Sequence, residues 1–330
     1  MDTLVLVTII LALLFNFLNG MNDAANSIAT VVSTKVLSPI LGVAWAALFN
    51  FVAYFLFGVH VATTIGKGIV DPDMVNKYII FSALVGAVIW TYTCTHFGFP
   101  ISVSHALIGG LIGPALIVGG PEAIYAKGIT IIILFIVLSP LIGMILSYLI
   151  SLLTLFVFRN FSPRKVDSLF RVMQLFSSAV FSLGHGSNDA QKTMGIIAVL
   201  LYTSGPPGSE FIIPTWVIIT CYSSISLGTL LGGWRVIRTL GLSLTNLKPF
   251  QGFCAETAGA LTIIGSSLGG IPVSTTRTIT GAIIGVGMTK RLSSVRWGVA
   301  GNIIIAWVLT IPGSMAIAAG VYAIIRLFIG

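Results

Sequence analysis

Long apolar runs alternate with short polar turns along the whole chain. Ten such runs can be marked, at 3–19, 39–58, 78–97, 100–118, 129–158, 172–201, 212–234, 250–268, 272–288 and 297–327. Most approach or exceed the roughly 20 residues a membrane-spanning helix needs. They lack the period-two alternation of a membrane barrel strand. The connections are brief, and the longest charged one is 159–171. The pattern predicts an all-α polytopic membrane protein with no separate soluble domain.

The first five runs are related to the second five. Asn22-Asp23 recurs 166 residues later as Asn188-Asp189. Pro100-Ile101-Ser102-Val103-Ser104 recurs at an offset of 172 as Pro272-Val273-Ser274-Thr275-Thr276, and that offset also carries Gly109 onto Gly281, Gly113 onto Gly285 and Pro140 onto Pro312. A register held over forty residues marks an internal duplication. An odd number of crossings per half turns the second copy upside down, and a re-entrant hairpin in each half leaves the parity unchanged. The predicted organisation is therefore two inverted-topology repeats, 1–158 and 172–330, joined by a cytoplasmic linker at 159–171. Such repeats are a mark of secondary transporters, which bind substrate near the midplane at the repeat interface.

Composition sharpens the class. Of 330 residues, 56% are hydrophobic and only 8% charged, too little charge to cover a soluble domain of this size. The formal net charge is +8, but Lys and Arg lie singly or in small groups between apolar runs. They read as topology-setting loop charges, not as a nucleic-acid surface. With the N-terminus outside, eleven of them fall in cytoplasmic loops and four in external ones, which places both termini extracytoplasmic in a cell membrane. Cys94, Cys221 and Cys254 show no metal-type spacing. The first run carries Asp2 where a signal peptide is basic, so it reads as a retained helix.

Candidate chemistry sits in the two repeated motifs. The octapeptides Gly20-Met21-Asn22-Asp23-Ala24-Ala25-Asn26-Ser27 and Gly186-Ser187-Asn188-Asp189-Ala190-Gln191-Lys192-Thr193 put carboxylates inside apolar stretches. A carboxylate there costs at least a few kcal/mol and marks a cavity, a partner or an ion. Their glycines permit a break in the helix, and the carbonyls so freed, with Asn22, Asp23, Asn188 and Asp189, would make hard-oxygen sites for a small cation. A latch between Asp189 and Lys192 is the competing structural reading. The Pro-Ser turns place Pro100 and Pro272 at the first turn of a following helix. Free N–H groups there and the hydroxyls of Ser102, Ser104, Ser274, Thr275 and Thr276 would cradle a tetrahedral oxyanion; plain N-capping is the alternative.

Other polar residues within the runs divide further. Glu256 is a cation ligand or proton carrier, or else the buried partner of Arg277 or Lys192. His96, His105 and His185 lack metal-ligand spacing and suit hydrogen-bonding roles. Asn50 and Asn302 suit contacts between helices. Lys192 and Arg277 balance either an anionic substrate or the neighbouring carboxylates.

These motifs resemble those of the inorganic phosphate transporter (PiT) family over essentially the whole chain. The resemblance rests on a duplicated Gly-x-Asn-Asp-x-x-Asn-type signature, here Gly20 to Ser27 and His185 to Lys192, and on Pro-x-Ser-Thr-Thr-type tips, met by Pro272 to Thr276 and more loosely by Pro100 to Ser104. It implies a symporter carrying inorganic phosphate with Na⁺ or H⁺, broken helices, two re-entrant hairpins and an elevator-like movement. This sequence departs from the family in carrying Arg277 where a His is usual, and Asn50 in a segment that often carries Glu. The reading that follows is a Na⁺-coupled phosphate importer and not an enzyme. Phosphate is expected at Ser102, Ser104, Gln191, Ser274, Thr275 and Thr276, and Na⁺ at Asn22, Asp23, Asn188, Asp189 and Glu256. Beyond Na⁺ as coupling ion no cofactor is expected; a homodimer is one assembly this architecture allows. A proton-coupled phosphate or sulfate permease is the nearest alternative and an anion channel a more distant one.

Overall fold

The computed structural model describes residues 2–68, 75–206 and 210–329; within this set the side chains of Lys67 and Lys127, two of the charges in the loop count, also lie outside the description. Twelve α-helices occupy the described residues, with no strand among them: α1 Thr3–Ser33, α2 Pro39–Val52, α3 His60–Gly68, α4 Lys77–Phe97, α5 Val103–Gly119 and α6 Ala126–Val157. The second six are α7 Pro163–Thr203, α8 Thr215–Leu231, α9 Trp234–Ser243, α10 Pro249–Leu268, α11 Thr275–Met288 and α12 Trp297–Ile329. Five helices are each long and apolar enough to cross a membrane unaided, and the pair α8–α9, bent by 73° at its break, makes a sixth. Much of the outer surface is Leu, Ile, Val and Phe, for example Ile133, Leu134, Leu153, Val308 and Phe328, all more than half exposed. A face of that kind suits lipid, where apolar side chains lose nothing by exposure.

The helix neighbours map onto themselves when the first six are exchanged for the second six. α1 packs on α8 as α7 packs on α2; α1 on α4 as α7 on α10; α1 on α9 as α7 on α3; α5 on α12 as α11 on α6. The duplicated glycines explain part of this. A Cβ at Gly109 would collide with the backbone of Ile311 in α12, and one at Gly281 with the backbone of Pro140 in α6, so each marks a point where two helix backbones touch.

Three expectations are corrected. First, the glycines of the octapeptides do not break their helices. α1 and α7 run through both motifs without interruption. Gly20 instead lets the carbonyl of Ile225 approach, and Gly186 the backbone of Asn50. The breaks come elsewhere, between α2 and α3 and between α8 and α9, so each half holds six helices where five runs were read. Second, the charged stretch 159–171 is not loop throughout, because α7 begins at Pro163 and takes up the rest. Third, Pro100 and Pro272 lie outside the helices, whose N-caps are Ser102 and Ser274.

Two apolar cores fill the interior. One joins the N-terminal half of α1 to α3, α4, α5, α8 and the C-terminal half of α7. The other joins the C-terminal half of α1 to α2, α9, α10, α11 and α12, with Phe181 of α7. Each octapeptide contributes to one of these cores, Ala190 of α7 to the first and Ala24 and Ala25 of α1 to the second.

Candidate functional site

Two helical hairpins, α4–α5 and α10–α11, aim their tips at the octapeptides. Each tip turns on a glycine in the left-handed region, Gly98 at φ 78° and Gly270 at φ 67°, a conformation that penalises any side chain. The two caps that follow have nearly the same backbone, φ/ψ −88°/103° at Ser102 and −89°/108° at Ser274. Their side chains differ. Ser274 Oγ accepts from the Arg277 amide at 3.3 Å, a true N-cap, whereas Ser102 Oγ is buried with no partner.

The carboxylates of Asp23 and Asp189, expected to hold a cation, meet at the second tip. Thr275 Oγ1 lies 3.2 Å from Asp23 Oδ2 and 3.2 Å from Asp189 Oδ2; its one proton serves one of them at a time. Thr276 Oγ1 donates to Asp23 Oδ1 at 3.0 Å. His185 Nε2 is 3.3 Å from Asp189 and 3.9 Å from Asp23, and the three ligating groups fall within 4.8 Å of one another. All are buried.

Around this pair the two halves make matching contacts. Asn22 Nδ2 donates to Thr95 Oγ1 of α4 at 2.7 Å, and Asn188 Nδ2 to Ser267 Oγ of α10 at 2.8 Å. Asn26 Nδ2 donates to Thr276 Oγ1 at 3.0 Å and to Thr275 Oγ1 at 3.3 Å. At the equivalent place Lys192 Nζ donates to Ser104 Oγ at 2.6 Å, and adds Asp189 Oδ1 at 2.6 Å and the Val273 carbonyl at 2.8 Å. The carbonyl oxygens of Asn19, Asn22, Asn26 and Asn188 are buried and accept nothing. Buried acceptors are rarely left so. Oxygens without donors beside a carboxylate pair are what a cation would use.

The structure separates some of the expected residues from this site. Glu256 accepts from Thr30 at 2.6 Å, from Gln174 at 2.9 Å and from Ser177, away from Asp23 and Asp189. No ion pair joins Glu256 to Arg277 or Lys192 among the described residues. Gln191 does not aim at the tips either: its Oε1 accepts from the amides of Val61 at 2.9 Å and Ala62 at 3.3 Å, capping the start of α3. Thr275 and Thr276 turn their hydroxyl protons toward Asp23 and Asp189, which leaves their oxygens as acceptors from Asn26. Arg277 leaves the tip altogether. It donates to the carbonyls of Ile136 in α6 at 3.3 Å and Trp307 in α12 at 3.2 Å, and lies over the Trp307 ring at 5.0 Å. Asn50 does link helices, to Thr229 at 2.9 Å.

Two participants, His185 and Asn26, were not predicted as site residues, and Lys192 was expected only as a latch on Asp189 or a balance for an anion; the contact to Asp189 is the one it makes. A signal for each was available. His185 stands one turn before Asp189, on its face of α7, and Asn26 and Lys192 occupy one position of the duplicated motif.

Comparison with known proteins identifies the family. Residues 19–318 match the model of the phosphate transporter family. This chain belongs to that family. The family is one of membrane transporters, so the chain is a membrane protein and not an enzyme. A Rhizobium meliloti (strain 1021) protein, "Probable low-affinity inorganic phosphate transporter", is 55% identical over 314 residues, covering 95% of this chain and 94% of its own. A Bacillus subtilis (strain 168) protein of the same description is 40% identical over 332 residues, 99% of each chain. Among solved structures, "The sodium-dependent phosphate transporter" superposes with a TM-score of 0.89 at 28% identity, covering 99% of this chain and 100% of that one. The solved relative thus shares the fold of this chain over nearly its whole length.

Proposed function

We propose that the chain imports inorganic phosphate by symport with Na⁺. The observation that carries this reading is the buried pair Asp23 and Asp189 at one hairpin tip, flanked by the donor-free oxygens of Asn22, Asn26 and Asn188. Na⁺ is taken there as cargo. Phosphate binds at the facing tip, where Ser102 Oγ is unpartnered and the α5 N-terminus carries no side-chain cap, with Ser104 and Ser274 beside it. A bare phosphate dianion in a site of low dielectric is prohibitive without compensation, so the cation and the anion enter together. Glu256 and Gln191, held apart by their own networks, have no place in this binding step.

In the same reading the halves at 1–158 and 172–330 are inverted repeats, α4–α5 and α10–α11 are re-entrant hairpins, and both termini are extracytoplasmic. The hairpins with α1 and α7 move as an elevator against the remaining helices. The named neighbours support the cargo: the solved relative is described as sodium-dependent and the curated relatives as phosphate transporters. The decisive experiment is uptake of labelled phosphate into liposomes holding the purified protein, driven by Na⁺, K⁺ or proton gradients. Na⁺-driven uptake that is lost in Asp23→Asn supports the reading; unchanged uptake in that variant refutes it. Proton coupling is the second reading, favoured by Glu256, a buried carboxyl held by neutral donors and, among the described residues, by no cation. Uptake that follows the pH gradient and ignores Na⁺ would select it.

A further inference from the structure

The two halves of the site differ in charge at one matched position. Asn26 and Lys192 correspond under the 166-residue offset, and each reaches the last residue of a tip, Thr276 for Asn26 and Ser104 for Lys192. Asn26 brings a neutral amide there; Lys192 brings an ammonium. That ammonium is 2% exposed, and its surroundings are a carboxylate, a hydroxyl and a backbone carbonyl, each at 2.6–2.8 Å. A small hard cation takes the same oxygen set. An ammonium has three protons to donate, and all three are spent, so none is left for an anion.

We propose that Lys192 is a tethered counter-ion. It fills, permanently and from within the chain, the cation position of one half of the site. Only the other half, around Asp23 with the open oxygens of Asn22 and Asn26, exchanges a free cation. The charges support this division. Asp189 is matched by Lys192, while Asp23 has hydroxyl donors and His185 at 3.9 Å but, among the described residues, no lysine or arginine. A buried carboxylate with no lysine or arginine paired to it is the one that gains most from a mobile cation. The consequence is a transporter that needs one fewer cargo cation per cycle than a symmetric site would.

The inference rests on the Na⁺-symport reading for the identity of the mobile cation, and the test keeps the two apart. Wild type, Lys192→Asn (which makes the two halves alike) and Asn26→Lys (which would tether both) are purified and compared. Two quantities are read: the steepness with which Na⁺ activates phosphate uptake in liposomes, and the shift in melting temperature when Na⁺ replaces choline. In K192N the Na⁺ activation curve should steepen by about one Hill unit, and Na⁺ should raise the melting temperature more than in wild type, because a ligand taken only by the folded state stabilises it. N26K should flatten both responses. Melting in Na⁺ against choline remains readable if K192N transports poorly. A wild type that responds to Na⁺, with a K192N response no larger, overturns the tether and leaves the symport reading standing. A wild type indifferent to Na⁺, with K192N newly responsive, establishes the tether and removes Na⁺ symport from the native chain. A K192N whose only change is a weaker apparent affinity for phosphate overturns the tether, for Lys192 would then be an anion ligand.

Discussion

The first and second hairpin tips share backbone, glycine and position, yet they face opposite chemistry. At the first, Ser104 meets the Lys192 ammonium and Ser102 is left open. At the second, Thr275 and Thr276 meet two carboxylates. One duplicated frame therefore presents a cationic and an anionic half-site within the same buried layer. The lesson is that symmetry of the fold supplies the convergence, and single departures from it supply the polarity.

The strongest way to break this comparison is to neutralise each aspartate in turn. Asp189→Asn strands the Lys192 ammonium in the interior, a loss of about 3–5 kcal/mol of the kind seen when one partner of a buried pair is removed. Asp23→Asn removes a carboxylate without stranding any lysine, and keeps an oxygen for Thr276, so its melting temperature should stay near wild type while Na⁺-driven uptake is lost. Melting curves with equal losses for both variants would mean that the halves are electrically alike.

Gly186→Val tests the frame that both tips share. The new side chain meets the Asn50 backbone, whose Cα would lie 2.7 Å from the Cβ, at a cost of about 1–3 kcal/mol for overpacking. Gly20→Val should cost a similar amount against Ile225. A helix break at either glycine would instead tolerate the substitution, and urea or thermal unfolding in detergent reads the difference.

Ser104→Ala removes one acceptor from Lys192 and should destabilise by about 1–3 kcal/mol, the range for a buried donor left unsatisfied. Ser102→Ala removes a hydroxyl without a partner, so stability should hold and the apparent affinity for phosphate should fall. If Ser102→Ala were to melt early with unaltered affinity, the open tip would not be the anion side.

The smallest effect is expected at Arg277→Lys. The residue is bonded to α6 and α12 and stacked on Trp307, so loss of the planar guanidinium should cost roughly 1 kcal/mol. Selectivity for phosphate over sulfate should not change. A switch in competition by sulfate would return Arg277 to the anion site.

How much of this was legible in the chain depends on the range of each interaction. The apolar runs, the duplication and the burial of Asn22, Asp23, Asn188 and Asp189 could be read directly, because the cost of placing a carboxylate among apolar neighbours is local. Glu256 shows where such reading ends. Its burial was legible, but its partners Thr30 and Gln174 stand 226 and 82 residues away, and nothing in its own segment names them. Gln191 is similar, since its oxygen serves α3 amides 130 residues distant.

By itself, then, the sequence determined that this is a helical membrane protein of two related halves, and which polar groups must find partners in its interior. Tertiary structure decided that α1 and α7 stay whole, that Lys192 lies across from Ser104, and that Arg277 turns away to α12. The reason is physical. Transfer into an apolar interior is set residue by residue, whereas the pairing of buried charges and amides depends on which distant backbone a glycine such as Gly20 or Gly186 allows to come close.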